Sequence, residues 1–291
     1  MHILHVIGRS IGQIYFLPNA MSGWLMLGAV LLWSPPAAAF LLLGVLTQNA
    51  CAYVLRAPAE DVHQGVYGFN GALVGIAAYL LAGFGVRGAL CAILGSAVCA
   101  GLQYWLVPVL ARINLPGMTA PFCLVASVFS LFPASWGMPA ESAAVGGVAG
   151  IMRGALTSFS QVMLAGAPLT AAIIVAALAL GSVRLLIFGA GGAAVGIVGG
   201  LAITAGSVSE GLTGYCAVLA AMALGVALPV ASNRRTRILT AAGAALLSVV
   251  ILAVFHSLHW AAFTWPFVLS VWIVVGVHGW LGQATSQRRR L

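Results

Sequence analysis

Four uncharged polar side chains stand inside long apolar runs of this sequence: Gln13, Thr119, Gln161 and Thr264. Their chemistry is hydrogen bonding. A carboxamide carbonyl and a hydroxyl oxygen both accept from N–H donors without carrying charge. They also pair up, Gln13 with Gln161 at a spacing of 148 residues and Thr119 with Thr264 at 145. One such residue alone reads as an interhelical hydrogen bond. Two pairs in equivalent places, each beside a helix break, read instead as the lining of a path.

Other chemistry is sparse. The acids are Glu60, Asp61, Glu141 and Glu210, and none lies in the middle of an apolar run. Ion-coupled carriers need buried carboxylates to hold the ion, so this placement points to a passive path. Glu210 reads as a carboxylate at a helix N-terminus, favoured by the dipole. His256 and His259 stand three apart on an expected helix, a possible metal spacing, but no acid or thiol is near them in sequence. They read as interfacial histidines. There is no Ser/His/Asp elbow, no phosphate loop and no pair of carboxylates, so no enzyme, cofactor or metal site is expected. The five cysteines show no CxxC and read as small buried hydrophobes.

Positioning these groups falls to apolar helices. Of the 291 residues 62% are apolar and 5% charged, against about 25% charged in a soluble domain. A water-covered surface cannot be built from this composition. A span needs about 20 residues, so the chain has room for roughly ten. Turn residues and charges divide it into helices near 22–34, 37–55, 65–84, 88–111, 116–133, 168–181, 183–206, 211–231, 236–257 and 260–282. Two pieces, 9–17 and 154–164, are too short to span and read as re-entrant half-helices. A Gly/Ala/Ser-rich connector covers 134–152. The expectation is an all-α polytopic membrane protein, its first repeat over 1–140 and its second over 141–291.

Three motifs recur in order. Gln13-Ile14 matches Gln161-Val162, Gly65–Leu73 matches Gly211–Leu219, and Thr119-Ala-Pro-Phe122 matches Thr264-Trp-Pro-Phe267, at offsets of 148, 146 and 145. With a cytoplasmic N-terminus and five crossings per half, ten of the 12 Arg fall inside and only Arg87 and Arg153 outside, as the positive-inside rule requires. The net charge of +8 then reflects cytoplasmic loops and not nucleic-acid binding. An odd number of crossings makes the halves inverted repeats, which commonly build a pathway at their interface.

Leu115-Pro-Gly-Met-Thr119-Ala-Pro-Phe122 resembles the LPxxTxPF signature of the urea transporters. Gly68-Phe-Asn-Gly-Ala-Leu-Val-Gly75 and Gly12-Gln-Ile-Tyr-Phe16 resemble two further segments of that family. The resemblance covers nearly the whole chain. The second half departs from it: Trp260-Ala261 replaces Leu-Pro, Cys216 stands for Asn70, and Leu164 stands for Phe16.

The resemblance implies a homotrimer in the bacterial inner membrane, each protomer holding a pore between inverted halves. It implies Gln13 and Gln161 at the inner ends of the half-helices and Thr119 and Thr264 at mid-filter. Phe16, Leu164, Leu73 and Leu219 would be its apolar walls. Urea suits such a slot: it is planar and neutral, with N–H donors for the acceptors. Other small amides or ammonia, and an ion-coupled carrier, remain alternatives.

Overall fold

The computed structural model describes residues 2–131, 145–203, 208–228 and 233–288, with side chains described for 3–131, 145–202, 208–228 and 233–279. Glu141, Arg289, Arg290, the side chain of Arg288, most of the 134–152 connector and the 140/141 repeat boundary lie outside the described residues. Among the described residues there are helices and no strand. In order these are α1 His2–Gly12, α2 Ala20–Trp33, α3 Pro35–Val54, α4 Ala59–His63, α5 Gly68–Ala82, α6 Val86–Arg112 and α7 Ala120–Ser130. Then follow α8 Gly147–Gln161, α9 Pro168–Gly181, α10 Val183–Ile203, α11 Tyr215–Met222, α12 Arg234–Ser257 and α13 Trp265–Arg288.

Local chemistry starts the helices where the sequence changes character. The Asn19 side chain caps α2 by accepting from Ser22 N at 3.1 Å. Ser34 does the same for α3 through Ala37 N, with Pro35 in the first turn. Asn233 caps α12 through Thr236 N at 2.7 Å. Past their first turns these and the other long helices are largely apolar. Leu32, Leu94, Leu180, Val198 and Leu246 are exposed, as only a lipid-facing surface tolerates in such number.

Four helices are long and apolar enough to cross a membrane among the described residues: Pro35–Val54, Val86–Arg112, Val183–Ala202 and Arg234–Ser257. Ile3–Tyr15 and Ala20–Trp33 together make a fifth candidate, bent by 77°. The segments Gly68–Ala82, Ala120–Ser130, Pro168–Gly181, Tyr215–Ala227 and Trp265–Gly279 are apolar but shorter. The helices expected at 116–133 and 260–282 begin at Ala120 and Trp265 instead. Irregular backbone precedes both, with Met118 at φ 45° and Phe263 at φ 40°. That backbone is held open by side chains: Trp272 Nε1 donates to Pro116 O at 2.8 Å and Asn70 Nδ2 to Met118 O at 3.2 Å.

The core lies where residues from before and after the connector meet, and includes Tyr15, Met26, Leu41, Phe122, Met163, Ile174 and Phe267. Helices α2 and α9 pack together. Ser22 Oγ donates to Ala177 O at 3.0 Å, and Thr170 Oγ1 to Ala29 O at 3.2 Å. Hydroxyls that satisfy backbone carbonyls cost little inside an apolar interface.

Candidate functional site: two buried threonines between glutamine-bearing turns

Thr119 and Thr264 immediately precede α7 and α13. Both are buried, at 3% and 1% exposure. Their hydroxyl oxygens lie 2.7 Å apart, hydrogen-bonded across 145 residues of sequence. Cys123 Sγ, fully buried, is 3.0 Å from Thr264 Oγ1. The sequence reads Cys123 as a small buried hydrophobe; its i+4 spacing from Thr119 sets it one helical turn into α7 from that threonine.

The carbonyls just before the threonines are also engaged. In one half Asn70 Nδ2 bonds Met118 O and Gln103 Oε1. In the other the Tyr215 hydroxyl donates to Phe263 O, and Cys216 Sγ reaches the same oxygen at 3.6 Å. The replacement of Asn70 by Cys216 therefore keeps a donor on the matching carbonyl. Gln103 and Gln48 are buried glutamines in apolar runs that sequence reasoning also left aside. Gln48 Oε1 accepts from Gly71 N. The polar positions thus hold backbone as well as one another.

Gln13 opens a short 3-10 turn after α1, and Gln161 ends α8. Each amide nitrogen is tied to a loop carbonyl: Gln13 Nε2 to Gln64 O at 3.0 Å, Gln161 Nε2 to Glu210 O at 3.1 Å. With its N–H₂ group anchored, each carboxamide presents its carbonyl oxygen as the remaining acceptor. The loop carbonyls come close because Gly65 and Gly211 follow them at φ 79° and 78°. A Cβ at either glycine would stand 2.4 Å from the backbone nitrogen of Ser10 or Ser158. Only glycine allows that approach.

Phe16 and Leu164 both sit at φ 58° at the reversal after these turns, and both are half-buried. A non-glycine residue at positive φ is uncommon and marks a backbone over-determined by its surroundings. The Phe16 ring meets Phe267 edge-on, with centroids 6.1 Å apart. Leu73 and Leu219 are buried in the core at 1% exposure each. Tyr15, unremarked by sequence reasoning, donates its hydroxyl to Phe159 O at 2.5 Å and so ties the end of α1 to α8.

The structure therefore brings the two threonines into direct contact and Phe16 against Phe267. The two glutamines contact separate loops. The histidine spacing takes a correction: α12 ends at Ser257, and His259 lies beyond it at φ 55°. His256 and His259 do not share a helix face, because the chain turns out of the helix between them.

The family described as urea transporter matches residues 4–279, nearly the whole chain. The chain belongs to the urea transporter family. Among curated proteins it is similar to urea transporter 1 of sheep, 31% identical over 142 residues, an alignment taking in 45% of this chain and 34% of that protein. It is also similar to urea transporter 1 of rat, 25% identical over 294 residues, with 90% of this chain and 73% of that protein covered. The matched region thus spans about a third of the sheep relative's length and about three quarters of the rat relative's. In this member of the urea transporter family, the threonine contact joins residues 115–122 to residues 264–267.

Proposed function

We propose that this chain conducts urea passively across a membrane, through a narrow filter between its two halves. The observation that carries the reading is the buried Thr119–Thr264 contact, the meeting point of two family signatures. Gln13 and Gln161 offer acceptors on either side of it, and Phe16, Leu164, Leu73 and Leu219 supply apolar walls. Neutral acceptors suit a solute with N–H donors, and they release it readily because no charge holds it. Among the described residues a cation meets no carboxylate ring here, so its lost hydration goes uncompensated.

The halves, 1–140 and 141–291, are proposed as inverted five-helix repeats, each with a re-entrant half-helix, for about ten membrane-crossing segments in all. Backbone geometry supports this. Positive-φ residues recur at Phe16 and Leu164, Gly65 and Gly211, Asn114 and His259, and Met118 and Phe263. The glutamine-to-loop bonds recur in the same register. The resemblance adds a homotrimer in the bacterial inner membrane, and the arginine split adds cytoplasmic termini. The names of the mammalian relatives, urea transporter 1, favour urea over other amides or ammonia.

The test is stopped-flow light scattering of proteoliposomes under inward gradients of urea, acetamide and methylurea. Urea flux well above that of protein-free vesicles supports the reading. Flux equal to the vesicle background rejects it.

A further inference from the structure

Cys123 breaks the symmetry of the threonine pair. Its backbone nitrogen bonds Thr119 O, and Val268 N bonds Thr264 O, so Cys123 and Val268 hold the same place relative to their own threonines. Only one of the two carries a polar atom. Sγ of Cys123 lies on the hydroxyl of the opposite threonine, Thr264, at 3.0 Å.

A hydroxyl has one proton and two lone pairs, and a thiol is a weak partner in either role. The chain Thr119–Thr264–Cys123 can be hydrogen-bonded with the thiol as donor or as acceptor. If the thiol donates, one of the two hydroxyl protons is left without a strong partner. If Thr119 donates to Thr264 and Thr264 to Sγ, both hydroxyl protons are bonded and only the weak S–H is left over. A buried unsatisfied hydroxyl costs more than an unsatisfied thiol, so the thiol accepts.

We infer that Cys123 is a positioning residue that makes the filter one-sided, acceptor at Thr264 and donor at Thr119. When a solute parts the two threonines, Thr264 keeps its proton on Sγ and turns both lone pairs toward the solute's N–H groups. Thr119 meets Sγ only as the weaker of the sulfur's two threonine contacts, and Val268 cannot accept, so its proton goes to the solute carbonyl. Urea carries both complements. With no sulfur, the Thr264 proton also points at the solute, and an N–H group meets a hydroxyl hydrogen. This inference rests on the urea-channel reading above.

The experiment compares wild type, Cys123→Val, Cys123→Ser, Thr264→Val and the Cys123→Val/Thr264→Val double variant, by urea flux in proteoliposomes and by melting in detergent. Valine keeps the size and loses the hydrogen bond; serine keeps an acceptor. The expected result is a fall of about three- to tenfold in Cys123→Val, most of the flux retained in Cys123→Ser, and no further loss when Cys123→Val is added to Thr264→Val. Equal losses in the valine and serine variants, wild-type flux in Cys123→Val, or a full additional loss in the Thr264→Val background would each overturn it in favour of simple packing. Should Cys123→Val melt well below wild type, Cys123→Ala and its own pairing with Thr264→Val supply the same comparison. Absence of urea flux in the wild type would reject the channel reading itself, a distinguishable outcome.

Discussion

At the residue scale, Thr119 and Thr264 spend hydrogen-bonding capacity on each other, and this shapes what substitution does. Thr119→Val and Thr264→Val each keep the shape and remove a hydroxyl. An unmade hydrogen bond to a desolvated donor costs about 1–3 kcal/mol, so urea flux in each single variant is expected to fall by about tenfold. Because the two side chains are in contact, the double valine variant is expected to fall by less than the product of the single effects. Stopped-flow fluxes of the four proteins close the cycle, and strict multiplicativity would mean that the hydroxyls act independently. Gln13→Leu and Gln161→Leu remove an anchored acceptor and are expected to lower flux to a similar degree.

At the element scale, the turns after α1 and α8 are built around Gly65 and Gly211. Each glycine lets a loop carbonyl, Gln64 O or Glu210 O, reach the amide of its glutamine. Gly65→Ala and Gly211→Ala force an L residue into positive φ and press Cβ on the backbone of Ser10 or Ser158. Each is expected to destabilise the fold by more than about 1 kcal/mol and to lower urea flux by freeing the neighbouring carboxamide. Thermal melting in detergent, paired with flux, checks this; an unshifted melt with normal flux would show that the loop adapts. The starts of α7 and α13 belong to the same logic. There α7 and α13 begin late, at Ala120 and Trp265, so that backbone carbonyls at Met118 and Phe263 stand beside the threonines.

At the scale of the whole molecule, the described surface is largely apolar and most of the charges sit near helix ends or in loops, which sets orientation and energetics together. Both termini are expected on the cytoplasmic side and the 134–152 connector on the other. Single engineered cysteines at these places, labelled from each side, test it; a connector reachable only from the cytoplasm would sink the inverted arrangement. No carboxylate of Glu60, Asp61 or Glu210 lies within a membrane-length helix. Urea is neutral and carries no charge through the field. Uptake is therefore expected to stop at equal concentrations whatever pH or sodium gradient is imposed. Accumulation beyond that point would make the protein a coupled carrier.

Membrane residence, helical class, family and the paired glutamines and threonines were legible in the sequence, because composition and motif spacing are local properties. Burying a 62% apolar chain needs lipid whatever its tertiary structure. Helix facing was not legible. These helices are apolar all round, so periodicity gives no direction to a side chain. That Thr119 touches Thr264, that Cys123 reaches the opposite threonine, and that Tyr15 ties α1 to α8 are contacts across more than 140 residues. The shortened starts of α7 and α13 were hidden for a related reason. Leu115–Met118 and Trp260–Phe263 look like helix by hydrophobicity. In the first stretch Pro116-Gly117 already breaks the helix, and distant donors, Trp272 and Asn70, take up its carbonyls; in the second Tyr215 and Cys216 do so. Backbone that must stay polar inside an apolar protein is decided by the partners it finds, and those partners come from the tertiary structure.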